Sequence, residues 1–416
     1  MSKSAIAGIE PKILWERFFE ITQVPRPSKQ EEKIRNYLRN LLKQLKLEFK
    51  EDKTGNFVAN VKATPGYEKA PTVVLQGHVD MVCEKNKTKI FDFENDPIEL
   101  IKEDGWIKAN GTTLGSDNGI GVAAALAVVS DPEIVHGPLE LLFTVDEETG
   151  LTGANNLQPG FVKGKILLNM DSEEDGAFYV GCSGGVDTVG SFKIKYKKSP
   201  KGLLAYELLV TGLKGGHSGL DIITGRGNGI KILARALKSI EHLKYHLADI
   251  DGGSLRNAIP READAIILIE KSDVEKVKKI IDEFGKHILN EFKTVDGGVR
   301  VILKESEKKY EQVFEDELNK KIVDTLLSLP HGVTAMSADI PGLVETSTNL
   351  ATIKVEKGEI KIGTSQRSSV ESAKVYIAQC VRAVFTLAEA SIFVGDGYPG
   401  WKPNLNSNVL KLSKKV

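Results

Sequence analysis

Residues 139–150 read LELLFTVDEETG, a nearly unbroken apolar run that stops at three acidic residues, Asp146, Glu147 and Glu148. Apolar side chains at successive positions mark a strand covered on both faces, the habit of α/β sheets rather than half-exposed antiparallel ones. A polar residue at the end of such a strand is ordinary. Two adjacent glutamates are not, because like charges this close raise each other's cost of ionisation. Something nearby must offset that cost.

The same texture recurs on either side. FVANVKA (57–63), TVVLQGH (72–78) and KILLNMD (165–171) are short apolar runs, and a Gly- and Ala-rich helical stretch spans about 118–130. An earlier helix opens with Ser28 and Glu31 at capping-box spacing and carries Ile34, Leu38, Leu41, Leu42 and Leu45 on one face. Strands alternating with helices predict an α/β catalytic domain with a mostly parallel central sheet over residues 1–186. From 187 the pattern changes. SFKIKYKK (191–198) and AYELLVTG (205–212) alternate apolar and polar residues, as antiparallel strands do. Two rounds of strands and helices then follow, with a Lys357-Gly358 turn between two of the strands. Residues 187–390 therefore read as an inserted α+β lid domain built from two similar halves, and 391–416 as a return to the first domain.

Composition narrows the partners. The chain has 416 residues, 41% hydrophobic and 27% charged, with a net charge of −1, which gives no pull toward nucleic acid or an acidic membrane surface. Cys83, Cys182 and Cys380 are odd in number and far apart, an expectation of a reducing, cytoplasmic setting. No apolar run approaches the roughly 20 residues that span a bilayer.

The strand ends share one habit: each bears a side chain able to bind metal. TVVLQG ends in His78-Val79-Asp80, the turn GTTLGSDNG carries Asp117, LELLFTV leads to Glu147 and Glu148, and KILLNM leads to Asp171. Ligands gather at the carboxyl ends of strands in such sheets, so these groups should converge. Singly, each has a plainer reading. Asp117 suits a helix N-cap, His78 a hydrogen-bonded strand-end residue, and Asp171 with Ser172, Glu173 and Glu174 a solvated acidic turn. Their coincidence on successive strand ends favours a metal centre. One imidazole among carboxylates suits zinc, cobalt or manganese better than magnesium. In His78-x-Asp80 both side chains lie on one side of an extended backbone, so Asp80 can fix the imidazole tautomer. Glu147 and Glu148, as neighbours in an extended chain, should point apart and divide two tasks: one a metal ligand, the other a general base facing water.

Taken together, HVDMV (78–82), TTLGSDNGIGVAAAL (112–126), EETGLTGA (147–154), NMDSEEDG (169–176), YVGCSGG (179–185), GGHSGLDI (215–222), RGNGIK (226–231) and NAIP (257–260) resemble the Xaa-His (aminoacyl-histidine, carnosinase-like) dipeptidases, members of the di-zinc aminoacylase and carboxypeptidase-G-like metallopeptidases. The likeness runs from about Trp15 to the end of the chain. It implies two zinc ions. His78 and Asp171 would hold one, Glu148 the other, and Asp117 would bridge them beside a cis Asp117-Asn118 peptide. Glu147 would be the general base and Asp80 the residue orienting His78. His217 would donate to the oxyanion, and Asn257 and Arg367 would bind the substrate's C-terminal carboxylate. The implied reaction is hydrolysis of short unsubstituted dipeptides. A homodimer is one implied partner, with His217 acting in its own chain or across that dimer. For His217, Asn257 and Arg367 the residues alone favour a plain turn, a backbone-bonding loop residue and a surface charge.

The family also has a ligand histidine in an HAGLECG-like segment near the C-terminus, whereas no histidine follows His331 here. The expectation is a truncated chain whose second metal binds weakly and whose activity is reduced. Another peptidase or N-acyl amino acid hydrolase of the superfamily, or an inactive product, stands as the alternative.

Overall fold

A computed structural model describes residues 2–172 and 174–415. Glu173, part of the acidic turn anticipated after Asp171, lies outside the described residues. The chain divides into two compact units, one running to Tyr179 and resuming at Lys411, the other spanning Val180–Leu410.

In the first unit a 3-10 turn precedes helices α1 (Lys12–Thr22) and α2 (Glu32–Gln44). Strands β1 (Glu48–Glu51), β2 (Phe57–Val61), β3 (Val73–His78), β4 (Leu100–Glu103) and β5 (Trp106–Ala109) follow. Next come α3 (Ser116–Ser130), β6 (Leu139–Thr144), the single turn α4 (Thr152–Asn155) and β7 (Ile166–Asn169). The sheet runs β1-β2-β6-β3-β7, with β4 and β5 a separate hairpin. It is mixed rather than mostly parallel: β3 pairs with β6 and β7 in parallel, but β2 pairs with β1 and β6 antiparallel. The misreading has a physical source. Phe57–Val61 is buried along most of its length, so its side chains carry no alternation from which direction could be read.

Every residue of β6 is buried. Its core joins Ile34, Leu38, Leu41 and Leu42 of α2 to Val122, Ala125 and Leu126 of α3. The small residues of α3 let it settle tightly on β3. A Cβ on Gly77 would stand 2.3 Å from Asn118 Oδ1, and one on Gly121 2.5 Å from the same atom. Helix and strand thus close around Asn118, beside one of the candidate ligands.

The capping box expected at Ser28 and Glu31 does not form. Helix α2 starts at Glu32 with no side-chain cap. The Ser28 hydroxyl instead donates to Asp80, and Glu31 accepts the backbone N–H groups of Lys29 and Asp146. Both residues serve loops of the site rather than the helix end.

The second unit contains β8 (Gly184–Lys193), β9 (Tyr196–Lys198), β10 (Leu203–Thr211), β11 (Gly216–His217), α5 (Gly229–Ser239), β12 (His246–Gly252), β13 (Ala258–Ile259), β14 (Ala263–Glu270), α6 (Val274–Phe292) and β15 (Arg300–Glu305). It continues with β16 (Gln312–Phe314), α7 (Asp316–Ser328), β17 (Gly332–Met336), β18 (Val344–Glu356), β19 (Glu359–Ser368), α8 (Glu371–Leu387) and β20 (Ser391–Val394). Helix α9 (Asn408–Ser413) lies where the chain passes back to the first unit. The main sheet runs β15-β10-β14-β12-β18-β19-β8-β20, with β17 added on β18. Apolar residues of α5, α6, α7 and α8 share one core with it. The Lys357-Gly358 turn is a two-residue hairpin with φ of 50° and 78°, the left-handed pair that matches strand twist.

Domain limits differ from those expected at 186/187 and 390/391. Ser391–Val394 stays in the second unit because it pairs antiparallel with β8, and the bonds between Cys182 and Trp401 and between Gly185 and Tyr398 hold the next stretch there too.

Candidate metal centre

Strand β3 delivers His78, with no exposed surface, to the carboxyl edge of the sheet. Its Nδ1 lies 3.2 Å from Asp80 Oδ1, as the His78-x-Asp80 spacing anticipates. Its Nε2 faces outward to a ring of carboxylates: Asp117 Oδ1 at 2.9 Å, Asp171 Oδ1 at 3.5 Å and Glu147 Oε2 at 3.9 Å. Donor atoms of His78, Asp117 and Glu148 all lie within 4.8 Å of one another. The residues singled out on separate strand ends therefore meet around one imidazole nitrogen.

Asp80, also fully buried, organises this ring. Besides His78 it accepts the Ser28 hydroxyl at 2.8 Å, the backbone N–H of Glu147 at 3.0 Å and that of Glu148 at 3.2 Å. The glutamates are not placed by strand alternation. Strand β6 ends at Thr144, Asp146 turns left-handed at φ 50°, and the Glu147 carbonyl accepts the N–H groups of Gly150 and Leu151. The pair thus stands at the head of a turn, its two amides gripped by one carboxylate. Asp146 holds the turn from within by accepting the hydroxyls of Thr149 and Thr152.

Asp117 does not act as the N-cap. Gly115 occupies that position, and Asp117 is non-helical at φ −80° and ψ 114°. The Asp117-Asn118 peptide is cis. Asn118 donates to Met170 O at 2.8 Å and to Asp171 Oδ1 at 2.6 Å, and so holds Asp171, the fourth strand-end candidate, near His78.

The electrostatics describe a site short of positive charge. Burial opposes protonation of His78, yet Asp171 and Asp80 override it and lift the imidazole to about 11. Burial pushes Asp117, Glu147 and Glu148 up, and the neighbouring carboxylates add to the effect. Burial also works against Asp80, but its bonds from His78, the Glu147 amide and Ser28 hold it at about 2. A proton on His78 is a poor counterion for so many oxygens. One nitrogen and several carboxylates on a common centre fit a divalent ion such as zinc.

In the second unit, His217 and Asn257 border a cleft of about 610 Å³. The two loops are joined by β11–β13 pairing and by Ser218 N–H donating to Asn257 O at 2.7 Å. Gly219 N–H and Leu220 N–H both donate to His217 Nδ1 at 3.3 Å. A neutral imidazole that accepts at Nδ1 carries its proton on Nε2. Burial and the Arg367 charge lower the His217 pKa, which keeps the ring neutral and a donor. The Arg367 guanidinium stands beside this loop, where a Cβ on Gly219 would lie 3.0 Å from its Nη1. It has no carboxylate partner among the described residues, and its buried Nε lacks a hydrogen-bond partner. His331 belongs to the frame of this unit: its Nδ1 lies 3.3 Å from Asn228 Nδ2 and 3.4 Å from Leu350 N.

Sequence reasoning missed Ser28 and Glu31 as parts of the site, and it placed Asn118 there only through its cis peptide, without the bonds of its side chain. Their signal was present but ambiguous, since Ser28 and Glu31 matched a cap and Asn118 followed a more conspicuous aspartate.

Residues 209–296 match the peptidase dimerisation domain. The chain is 38% identical over 420 residues to the cytosol non-specific dipeptidase of Escherichia coli K12, covering 99% of this chain and 85% of that protein. It superposes on the aminoacylhistidine dipeptidase of Vibrio alginolyticus with a TM-score of 0.93 and 38% identity, over 100% of this chain and 85% of that one. A tripeptidase of Staphylococcus aureus shares the fold at a TM-score of 0.50 and 19% identity, over 98% and 81% of the two chains. Likeness of this extent, along the whole sequence and at the level of the backbone, shows that the chain belongs to the M20 metallopeptidase family, among relatives that are dipeptidases.

Proposed function

We propose that this protein is a cytosolic, metal-dependent dipeptidase that hydrolyses short unsubstituted dipeptides, including those of Xaa-His type. The observation that carries the reading is the convergence of Asp117, Glu147, Glu148 and Asp171 on His78, in a chain similar to dipeptidases along its length. Free Cys83, Cys182 and Cys380 support a reducing compartment. Among the described residues no helix is long and apolar enough to cross a membrane.

His78 and Asp171 would hold one zinc ion, Glu148 the other, and Asp117 would bridge them; cobalt or manganese would fit the same donors. Bound zinc supplies Lewis acidity and makes water acidic enough to attack at neutral pH. His78, Asp117 and Glu148 form one mutual set of donors, whereas Glu147 reaches the His78 ring only at 3.9 Å. That division supports Glu147 as the general base, taking a proton from the attacking water and returning it to the leaving amine. His217, as the Nε2–H tautomer, would donate to the carbonyl oxygen as it gains charge. Arg367, with no carboxylate partner of its own, would bind the substrate's carboxylate with Asn257.

The second unit would serve as lid and as dimer contact. We read it as two similar halves. β10, β12, β14 and β15 lie in the order β15-β10-β14-β12, and β8, β18, β19 and β20 in the order β18-β19-β8-β20. Numbered along the chain, each half has the same neighbours.

The test is hydrolysis by the zinc-loaded protein of a dipeptide, a tripeptide and an N-acyl amino acid. Cleavage of the dipeptide in preference to both is expected; exclusive deacylation would overturn the reading.

A further inference from the structure

Arg26 is among the largest side chains with almost no exposed surface, at 2%. It lies in Pro25-Arg26-Pro27-Ser28, where two prolines stiffen the connection between α1 and α2. Burying a guanidinium is costly unless its N–H groups are satisfied. No carboxylate pairs with it among the described residues. Its partners are backbone carbonyls: Val79 O at 3.0 Å, Asp80 O at 2.7 Å and Gly115 O.

Those carbonyls belong to two segments that come from different parts of the sheet edge. Val79 and Asp80 continue directly from His78, and Gly115 precedes Asp117 by two residues. The packing leaves room for nothing else. A Cβ on Gly115 would stand 2.4 Å from Arg26 Nη2, and one on Gly119 2.7 Å from it. The neighbours of Arg26 reach the remaining segments. Pro27 bridges to Met81, Ser28 donates to Asp80, and Glu31 accepts the Asp146 N–H at 3.1 Å ahead of Glu147 and Glu148. Residues 26–31 are therefore a strap touching each loop that carries a proposed ligand, except that of Asp171.

We propose that Arg26 is a positioning residue of the metal centre: its planar fork locks the His78–Asp80 segment to the Asp117 turn, and that lock sets how tightly metal is held. The inference rests on the ligand set proposed above. Burial lowers Arg26 to about 10 while Asp80, Asp117 and Glu148 oppose the shift, so the group stays cationic at neutral pH beneath a ring of acids. Lysine keeps the charge but offers a point rather than a fork.

Cobalt titration of the full chain tests it, read by visible absorption and by calorimetry, with His78→Ala as the control. The expected result is that Arg26→Lys binds Co²⁺ about 10-fold or more weakly, the usual scale for a group behind the ligands. Its visible band should shift, and hydrogen exchange at 79–81 and 113–117 of the metal-free protein should quicken. Parent-like affinity and band in Arg26→Lys, whatever its melting temperature, overturn the proposal. Should Arg26→Lys fail to fold, Gly119→Ala, which displaces the guanidinium from its seat, must weaken Co²⁺ comparably; parent-like binding there overturns it equally. If His78→Ala binds as the parent does, the ligand set itself is wrong, a failure distinct from that of Arg26.

Discussion

Asp80 accepts the backbone N–H of Glu147 at 3.0 Å on the same oxygen that faces His78 Nδ1 at 3.2 Å. One atom thereby sets both the imidazole and the residue proposed as base. Its other oxygen takes the Ser28 hydroxyl and the Glu148 N–H. Asp80→Asn replaces one of these acceptors with a donor. Zinc affinity should fall about 10- to 100-fold, as when the partner of a metal-bound histidine is removed. Competition with a chromogenic chelator measures it, and an unchanged affinity would show that Asp80 only supports the fold.

Glu147→Gln should separate catalysis from binding. The amide keeps the volume and the grip of Asp80 on the backbone but cannot take a proton. We expect kcat to drop about 10³-fold, within the range for a lost general base, with zinc content unchanged. A Glu147→Gln protein that loses zinc instead would make Glu147 a ligand.

His217→Ala removes the proposed donor to the carbonyl oxygen from a loop outside the metal-bearing unit. Loss of one such donor costs about 10²- to 10³-fold in kcat. Zinc binding should be untouched. Activity within a factor of about two of the parent, far below that range, would sink the role.

Arg367→Lys tests carboxylate recognition. KM for a dipeptide should rise about 10- to 100-fold, the scale of losing a charge-assisted hydrogen bond. A dipeptide amide, which lacks the carboxylate, should show no such difference between parent and variant. Equal penalties on both substrates would mean that Arg367 acts on something other than that carboxylate.

Asp264, half-buried on β14 directly opposite Asp251, supplies a pH test independent of the metal centre. Burial first, then Asp251, Glu207 and Asp249, raise it from 3.8 to about 6. Between those values the folded state holds more protons than the unfolded one, so stability falls as pH rises through the window. Asp264→Asn should therefore stabilise the protein at pH 7 by about 1 kcal/mol after allowance for solvent screening. The gain should vanish below about pH 4, the unfolded-state value for aspartate. Urea unfolding at both pH values checks it, and a gain independent of pH would refute the electrostatic cause.

Much of the centre was legible because its residues sit where strand grammar places them. His78, Asp117, Glu148 and Asp171 each follow or interrupt an apolar run, and convergence at the sheet edge follows from topology. Direction was harder. Phe57–Val61 is buried but for Asn60, and its ladders to Glu48–Glu51 and Leu139–Phe143 show it antiparallel. Arg26 was invisible for another reason. Between two prolines it reads as a loop charge, and its carbonyl partners lie 53 to 89 residues away. Ser28 and Glu31 illustrate a third failure, a local rule satisfied in sequence while the side chains go to distant loops.

The strand order of the second unit also bears on how the chain is made. β8 leaves the ribosome first, yet its partners are β19, where Gly184 pairs with Ser368, and β20. β10, β12, β14 and β15 complete their mutual ladders by Glu305. Nascent chains halted after Leu343, just ahead of β18 and far enough past Glu305 for β15 to clear the exit tunnel, should protect those four strands from hydrogen exchange and leave β8 open; protection of β8 at that length would contradict this order. Pairing across such separations is slow, so Gly184–Lys193 must wait as an unpaired strand until Glu359–Ser368 has been made. Chaperone dependence in this protein should concentrate on that one segment.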